Sequence, residues 1–136
     1  MLEIIESGVL GKILGIEGKF CYTMDEDEMD HHVFNPENGG GSLLDVGVYS
    51  LNFASWYLGK DVTEINAQSD FYNGVDSHTC AIIKYKNGAI ADLSSAILLR
   101  KPNEGYVTET GVMLIFADSM LRRKLNFSSM TEKQKR

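Results

Sequence analysis

The sequence has few cysteines, few prolines and no long apolar run, and each scarcity excludes a class of protein. With 2 Cys and 2 Pro among 136 residues, neither a disulfide-rich secreted scaffold nor a Pro-rich low-complexity chain is expected. No apolar run approaches the ~18 residues that span a bilayer. The first residues, MLEIIESGVL, lack the basic start and apolar centre of a signal peptide. We therefore expect a cytoplasmic protein with no membrane partner.

Basic residues are also scarce, since 13 Lys and Arg stand against 19 Asp and Glu, for a net charge of −6. This balance disfavours a dedicated nucleic-acid binder, so no nucleic-acid partner is expected. Six of the basic residues fall in the last fifteen positions. We predict a solvated, frayed tail over residues 121–136 in preference to a nucleic-acid arm.

The two cysteines, Cys21 and Cys80, stand far apart and form no CxxC pair. Both are predicted to be ordinary core or strand residues of a reduced protein. The acidic run at residues 25–30 has no central Gly and no alternating carboxylates, so a solvated loop is favoured over a calcium site. No metal site is predicted.

What is present indicates one globular domain, predicted over residues 1–120. The chain is 43% hydrophobic and 24% charged, and this length suffices to bury roughly two thirds of the unfolded surface. Helical patterns are predicted at residues 2–7, ended by Gly8, and at residues 42–58, ended by Gly59. A strand is predicted at residues 12–24, with Gly15 and Gly18 as weak points or bulges.

In the second half of the chain, the apolar residues recur every two positions, as in β-strands. Residues 62–72 alternate as a half-buried strand, and the segments 77–86 and 89–99 flank the hairpin signal Asn87-Gly88. Two further strands are predicted at residues 106–108 and 112–116. The fold class is therefore α+β, an open, mostly antiparallel sheet with helices on one face. Its other face is left for a partner, which makes a dimer through the sheet an expectation.

The helix at residues 42–58 carries two stripes at 100° per residue. Its predicted core face consists of Leu44, Gly47, Val48, Leu51, Ser55 and Leu58. Its second stripe consists of Asp45, Tyr49, Asn52 and Trp56. This polar stripe is either the wet side of an amphipathic helix or a site.

The residue types of the polar stripe indicate what kind of site it would form. A tyrosine one turn from a carboxylate can hold a substrate hydroxyl, or exchange a proton with it during carbonyl reduction. Such a tyrosine needs a nearby cation to lower its pKa from about 10. The preceding glycines allow a backbone or cofactor to approach closely, and the helix start offers free amides to anionic or polar atoms.

The run GGGSLLDVGVY at residues 39–49 resembles the signature helix of the Gfo/Idh/MocA oxidoreductase family. It is most similar to the branch of glucose–fructose oxidoreductase and dimeric dihydrodiol dehydrogenase, in which Tyr replaces the His of inositol dehydrogenases. The segments GVLGKI (8–13), VD (75–76) and YKNGAIA (85–91) resemble the entry strand and central hairpin of the family's C-terminal domain. The resemblance covers roughly residues 1–116.

The resemblance implies site residues position by position. Tyr49 matches the acid/base or substrate-orienting tyrosine, Asp45 the supporting aspartate, and Asn52 a substrate-contacting position. Gly39, Gly40 and Gly41, with Phe34 nearby, match the turn at the nicotinamide end of the cofactor. His31 and His32 stand where relatives often have an Arg that reaches the cofactor; a solvated pair is favoured, with His32 as a weak cofactor contact.

The family's reaction also needs a Rossmann domain with G-x-G-x-x-G and a Glu-Lys-Pro segment, and neither motif occurs in these 136 residues. The resemblance therefore implies the substrate and dimerisation domain of an oxidoreductase that acts on sugar, polyol or diol hydroxyl or carbonyl groups. NAD or NADP is the cofactor of the intact relative, and this chain alone is expected to bind none and to be inactive. Its expected partners are a polyol or sugar-like substrate and either a second copy through the sheet face or the absent Rossmann domain. Two alternatives stay open: a binding or oligomerisation module without catalysis, and a folded remnant of a longer gene.

Overall fold

The computed structural model describes residues 11–24, 30–110 and, for the backbone only, 112–117. The predicted helix at residues 2–7 with its Gly8 cap, most of the acidic run and the tail at 121–136 lie outside these residues. The strands are β1 (Ile13–Cys21), β2 (Val62–Tyr72), β3 (Val75–Tyr85), β4 (Ile90–Ala96), β5 (Glu104–Glu109) and β6 (Val112–Ala117). The helical elements are two 3₁₀ turns (His32–Phe34 and Pro36–Asn38), a π-helical turn (Leu43–Gly47) and the α-helix α1 (Val48–Leu58).

One six-stranded sheet holds the described strands in the order β2-β3-β4-β1-β5-β6. β1 pairs parallel with β4, and the other neighbouring strands pair antiparallel. The predicted α+β class with an open, mostly antiparallel sheet is confirmed. Within the described residues, no helix is long and apolar enough to cross a membrane.

Two tight turns organise the first half of the sheet. The predicted hairpin at Asn87-Gly88 joins β3 to β4, with Gly88 at φ 87° and the Asn87 Oδ1 accepting from the Ala89 amide at 3.0 Å. The β2–β3 turn lies at Asn73 (φ 50°) and Gly74 (φ 81°). Two successive positive φ values are those of a type I′ turn, for which Asn-Gly is the preferred pair. Both flanking strands were predicted from the sequence, but this turn was not.

α1 packs on β1 and β4, and two of its three buried side chains are small. Its buried residues are Ser50, Ala54 and Leu58, preceded by the buried Gly47. A β-carbon at Gly18 of β1 would lie 3.3 Å from Leu93 Cδ2 and 3.5 Å from Ser50 Cβ, so the helix lies in close contact with the sheet here. Of the two predicted weak points in β1, Gly15 adjoins a register shift against β5.

The predicted core face of the helix is partly wrong. Gly47 and Leu58 are buried, whereas Leu44 is 59% exposed and the other members are half-buried. The π-helical turn is the reason: its i to i+5 bonding makes each residue advance less than 100° around the axis. An angle of 100° per residue, counted back from Leu58 through this turn, therefore places Leu44 on the buried face, whereas it lies on the exposed one.

The predicted half-burial of residues 62–72 is also wrong. All eleven residues of β2 are exposed, including Ile65 at 61% and Phe71 at 67%. Ile65 pairs with the buried Ile83, so it lies on the helix-covered side of the sheet. α1 covers the central strands but does not extend over the edge strand β2.

Candidate functional site

The start of the helical segment is anchored by a carboxylate from another element. Asp76, at the beginning of β3, accepts at one oxygen, Oδ2, from the Ser42 hydroxyl (2.6 Å), the Leu43 amide (2.9 Å) and the Thr79 hydroxyl (2.7 Å). Ser42 is fully buried and also contacts Ser95 Oγ at 3.0 Å. A carboxylate at this position satisfies an orphan helix amide and complements the helix dipole. The Leu43 amide is therefore not free, contrary to the sequence-based expectation.

The three glycines have different surroundings. A β-carbon at Gly41 (φ 114°) would overlap Asp76 Oδ1, and one at Gly40 would overlap the Val33 carbonyl oxygen. The Gly41 amide donates to that same carbonyl at 2.8 Å. The glycines were predicted to allow a backbone or a cofactor to approach closely. At Gly40 and Gly41 the atoms that approach belong to the chain itself. Gly39 (φ 69°) is more open, since its nearest atom is Leu44 Cδ1 at 3.9 Å.

Asp45 and Tyr49 both contact the end of β1. The Tyr22 hydroxyl donates to Asp45 Oδ2 at 2.6 Å. The Tyr49 ring lies against Phe20, with centroids 5.4 Å apart and planes inclined by 33°. These two contacts fix one carboxylate and one phenol, a helical turn apart, on the same side of the helix.

The Tyr49 side chain is 48% exposed. Among the described residues, its hydroxyl has no hydrogen-bond partner and no cation contacts it. The hydroxyl is thus open to a ligand, while the ring is held by Phe20. Asn52 is exposed and Trp56 is 73% exposed, so the second stripe faces outward.

The structure places the other predicted residues around the glycine turn. His31 and His32 are exposed, with ring centroids 4.1 Å apart, and His31 Nδ1 accepts from the Val33 amide at 3.4 Å. Phe34 is buried against Tyr72, at a centroid distance of 5.8 Å, so it belongs to a small core cluster.

Sequence reasoning missed Tyr22, Asp76 and Ser42 as members of this site. Tyr22 and Asp76 reach their partners across 23 and 34 residues of sequence, respectively. No local periodicity encodes such a contact. Phe20 and Tyr22 had one usable signal, since aromatic residues two positions apart project from the same side of an extended segment.

The described residues fit one end of a dinucleotide cofactor and not the other. Two carboxylates, Asp45 and Asp76, stand at the start of the helical segment, where they would repel a pyrophosphate. The open Gly39 and the unpartnered Tyr49 hydroxyl suit an uncharged or cationic ring with a polar substrate. In the same part of the chain, no group of three or more His, Cys, Asp or Glu residues could hold a metal ion.

Comparison with known proteins identifies relatives of this domain. The sequence model described as the GFO/IDH/MocA C-terminal domain matches residues 1–114. D-xylose 1-dehydrogenase (NADP(+)) 2 of Haloferax volcanii is 27% identical over 88 residues, which are 64% of this chain and 27% of that protein. Trans-1,2-dihydrobenzene-1,2-diol dehydrogenase of Xenopus tropicalis is 33% identical over 85 residues, 60% of this chain and 26% of that protein.

A solved structure has the same fold. The 3-ketoreductase KijD10 of Actinomadura kijaniata, in complex with NADP and TDP-benzene, superposes with a TM-score of 0.74 at 23% identity. The superposition covers 85% of this chain and 36% of that one. The chain thus spans about a third or less of the length of these relatives. It belongs to the GFO/IDH/MocA family, of which it represents the C-terminal domain.

Proposed function

We propose that this chain supplies the substrate side of an NAD(P)-dependent oxidoreductase acting on hydroxyl or carbonyl groups of sugars, polyols or diols. The observation that carries the proposal is the Asp45–Tyr49 pair, held by Tyr22 and Phe20, with the Tyr49 hydroxyl left exposed and unpartnered among the described residues. The names of the relatives support the substrate class, since they include a D-xylose dehydrogenase and a dihydrodiol dehydrogenase.

Tyr49 is the residue we assign to proton transfer. In the reducing direction its O–H gives a proton to the carbonyl oxygen, and in the oxidising direction its oxygen takes the proton from the substrate hydroxyl. A bound nicotinamide cofactor would supply or accept the hydride. Asp45, fixed by the Tyr22 hydroxyl, accepts a hydrogen bond from a second substrate hydroxyl, and Asn52 contacts the substrate further along the helix.

Gly39, Gly40 and Gly41 are proposed to face the nicotinamide end of the cofactor, with His32 as a weaker contact. The pyrophosphate would be bound by residues outside this chain's 136, because the sequence holds no G-x-G-x-x-G. A basic group among those same residues would stabilise the phenolate that a tyrosine forms when it transfers a proton. The isolated chain is therefore proposed to bind no NAD(P)H and to show no turnover.

The open face of the sheet is the proposed homodimer contact. Ile82 and Ile90 are 53% and 47% exposed on this face, opposite the helix. A Rossmann domain is the alternative partner, and the uncovered helix-side surface of β2, at Ile65, is the surface it would use.

To test the catalytic assignment, this chain is fused to the Rossmann domain of a relative. The reduction of a sugar or diol carbonyl by the fusion protein is then measured. Tyr49→Phe is expected to lower kcat by about 10²–10⁴-fold. Tyr106→Phe is the matched control, since Tyr106 bonds Glu104 on β5, away from the helix, and it is expected to keep full activity. Full activity in Tyr49→Phe would contradict the assignment.

A module without catalysis is the second candidate, favoured by the self-contained packing of Gly40, Gly41 and Asp76. Titration of the isolated chain with NAD(P)H and with polyols separates the candidates. Polyol binding that Tyr49→Phe leaves unchanged supports the module. Binding of neither ligand by a folded chain supports a remnant or a domain that requires its cofactor half. An in-frame Rossmann unit upstream of Met1 would favour the oxidoreductase.

A further inference from the structure

The carboxylate of Asp45 has one oxygen held and one oxygen open. The Tyr22 hydroxyl donates to Oδ2 at 2.6 Å. Within the described ranges, Oδ1 accepts no hydrogen bond, and no Lys or Arg forms an ion pair with this carboxylate. Asp45 is half-buried and lies one helical turn before the exposed Tyr49, so the two side chains are neighbours. A negative charge without a counterion therefore lies next to the hydroxyl that we assign to proton transfer.

The surrounding chain supplies no opposite charge of this kind. No Lys or Arg occurs between Lys19 and Lys60, whereas seven Asp and Glu residues do. Asp76 of β3 adds a second carboxylate at the start of the helical segment, where it accepts from the Leu43 amide. The elements that form the candidate site thus contribute carboxylates and neither Lys nor Arg.

Such a carboxylate discriminates between substrates by the group that it faces. A hydroxyl or an ammonium can donate a hydrogen bond to Oδ1, whereas an ionised carboxylate or phosphate has no proton to donate. The juxtaposition of like charges in a partly desolvated site also opposes binding. The two effects act in the same direction, because both favour donors and disfavour anions.

We propose that the Tyr22–Asp45 pair determines substrate specificity: it accepts a hydroxyl or ammonium next to the reacting carbon and rejects a carboxylate or phosphate there. This inference rests on the proposed function and narrows its substrates to uncharged sugars, polyols and diols and to amino sugars. Asp45 supplies the charge. Tyr22 is a positioning residue, which holds Oδ2 and leaves Oδ1 for the substrate.

The test uses the fusion protein and three cyclohexanols that differ only in the substituent on the neighbouring carbon: a hydroxyl, an ammonium or a carboxylate. Each compound is measured as an inhibitor of sugar carbonyl reduction. The carboxylate compound is expected to have an inhibition constant at least about tenfold higher than that of the diol. The ammonium compound should bind at least as tightly as the diol. A carboxylate compound that binds as tightly as the diol would overturn the proposal.

Asp45→Asn tests whether the charge of this residue is the cause, since it keeps the size of the side chain and an acceptor oxygen. The ratio of the carboxylate and diol inhibition constants is expected to fall by about tenfold, whatever the variant does to the rate. Asp61→Asn is the matched control, because Asp61 is an exposed carboxylate beyond the other end of α1. Its ratio should equal that of the unsubstituted fusion. An unchanged ratio in Asp45→Asn would overturn the assignment.

Tyr22→Phe tests positioning apart from charge. The variant removes only the hydroxyl and keeps the ring that packs against the small core cluster. Because the Asp45 charge remains, the preference for the diol over the carboxylate should persist. The KM of the sugar is expected to rise about tenfold, with a much smaller change in kcat, since the substrate loses an oriented acceptor. An unchanged KM would contradict the role of Tyr22.

Ionic strength gives a comparison that needs no variant. The Debye length falls from about 30 Å at 0.01 M salt to about 3 Å at 1 M. Over this range the ratio of inhibition constants should narrow by about threefold in the unsubstituted fusion and stay constant in Asp45→Asn. A ratio independent of salt in the unsubstituted fusion would contradict selection by charge. A fusion that reduces no sugar or diol carbonyl would overturn the proposed function itself, whereas equal inhibition constants in an active fusion overturn this inference alone.

Discussion

Gly41 shows at the scale of one residue how the glycine turn is tied to the helix start. Its φ of 114° disfavours L side chains, and an added β-carbon would overlap Asp76 Oδ1. Gly41→Ala is expected to lower the free energy of unfolding by about 2–4 kcal/mol, from backbone strain plus displacement of the carboxylate. Urea unfolding measures the change.

Gly88→Ala is the matched comparison for that substitution. Gly88 also has a positive φ, 87°, but nothing lies within 4 Å of an added β-carbon. Its replacement should therefore cost only the strain of a left-handed residue, about 1 kcal/mol. Equal losses in the two variants would show that contact with Asp76 contributes nothing.

His78 gives the chain a pH dependence whose sign follows from its lowered pKa. The unfolded imidazole, with its ordinary pKa of 6.5, binds a proton more readily than the folded one. Stability from the neutral imidazole is therefore complete above about pH 6.5 and is lost as the pH falls through the lower folded pKa. Unfolding measured from pH 8 to pH 5 should show a steeper loss in the unsubstituted chain than in His78→Gln. Parallel curves would contradict this expectation.

The sequence predicted those residues of the candidate site that lie close together along the chain. Asp45, Tyr49 and Asn52 lie on one helix, and the periodicity of that helix was enough to group them. Tyr22 and Asp76 come from other elements, and their contacts depend on how the sheet folds back on the helix. The predicted roles of the grouped residues remain proposals.

At the scale of elements, the helix start depends on Asp76 more than on any residue of its own segment. Ser42 makes no side-chain cap bond to the helix, whereas Asp76 accepts from two groups at the helix start and from Thr79. Asp76→Ala is expected to destabilise the fold by about 2–3 kcal/mol, because it removes the cap of the Leu43 amide and the nearest acceptor of the buried Ser42 hydroxyl. Thermal and urea unfolding test this.

Asp92→Ala is the control for Asp76→Ala. Asp92 is an exposed carboxylate on β4, in the same sheet, and a surface substitution of this kind changes stability by about 0.5 kcal/mol or less. If the two variants lose the same stability, the cap at Asp76 is not what holds the helix start.

Elements with strong local signals were predicted well. The Asn87-Gly88 pair and the alternating residues on either side of it predicted β3 and β4. Gly59 (φ 78°) ends α1 as expected. The π-helical turn was not predictable from a fixed period of 3.6, because that period presumes i to i+4 bonding throughout. The exposure of β2 was not predictable either, since alternation indicates which residues share a face but not whether anything covers that face.

At the scale of the whole molecule, the strand order joins segments that are distant in sequence. β1 pairs with β4 in parallel, so Ile16 lies beside Ala91. Parallel pairing needs a long crossover, here the segment that contains the glycine turn, α1 and the first hairpin. Local patterns predict a strand but not its partner, which is why the class was predictable and the order was not.

The proposed contact between two copies of the chain lies on the open face of the sheet. Ile82 and Ile65 are both exposed isoleucines on neighbouring strands, but Ile82 lies on the open face and Ile65 on the helix side. Ile82→Lys keeps the single chain stable because the new ammonium lies opposite Asp92. It should nevertheless raise the dimer dissociation constant at least about tenfold, because it replaces an apolar side chain of the proposed contact with a charged one. Sedimentation equilibrium measures the constant, and Ile65→Lys should leave it unchanged. If Ile65→Lys disrupts association and Ile82→Lys does not, the two copies meet through the uncovered edge strand β2 and not through the open face.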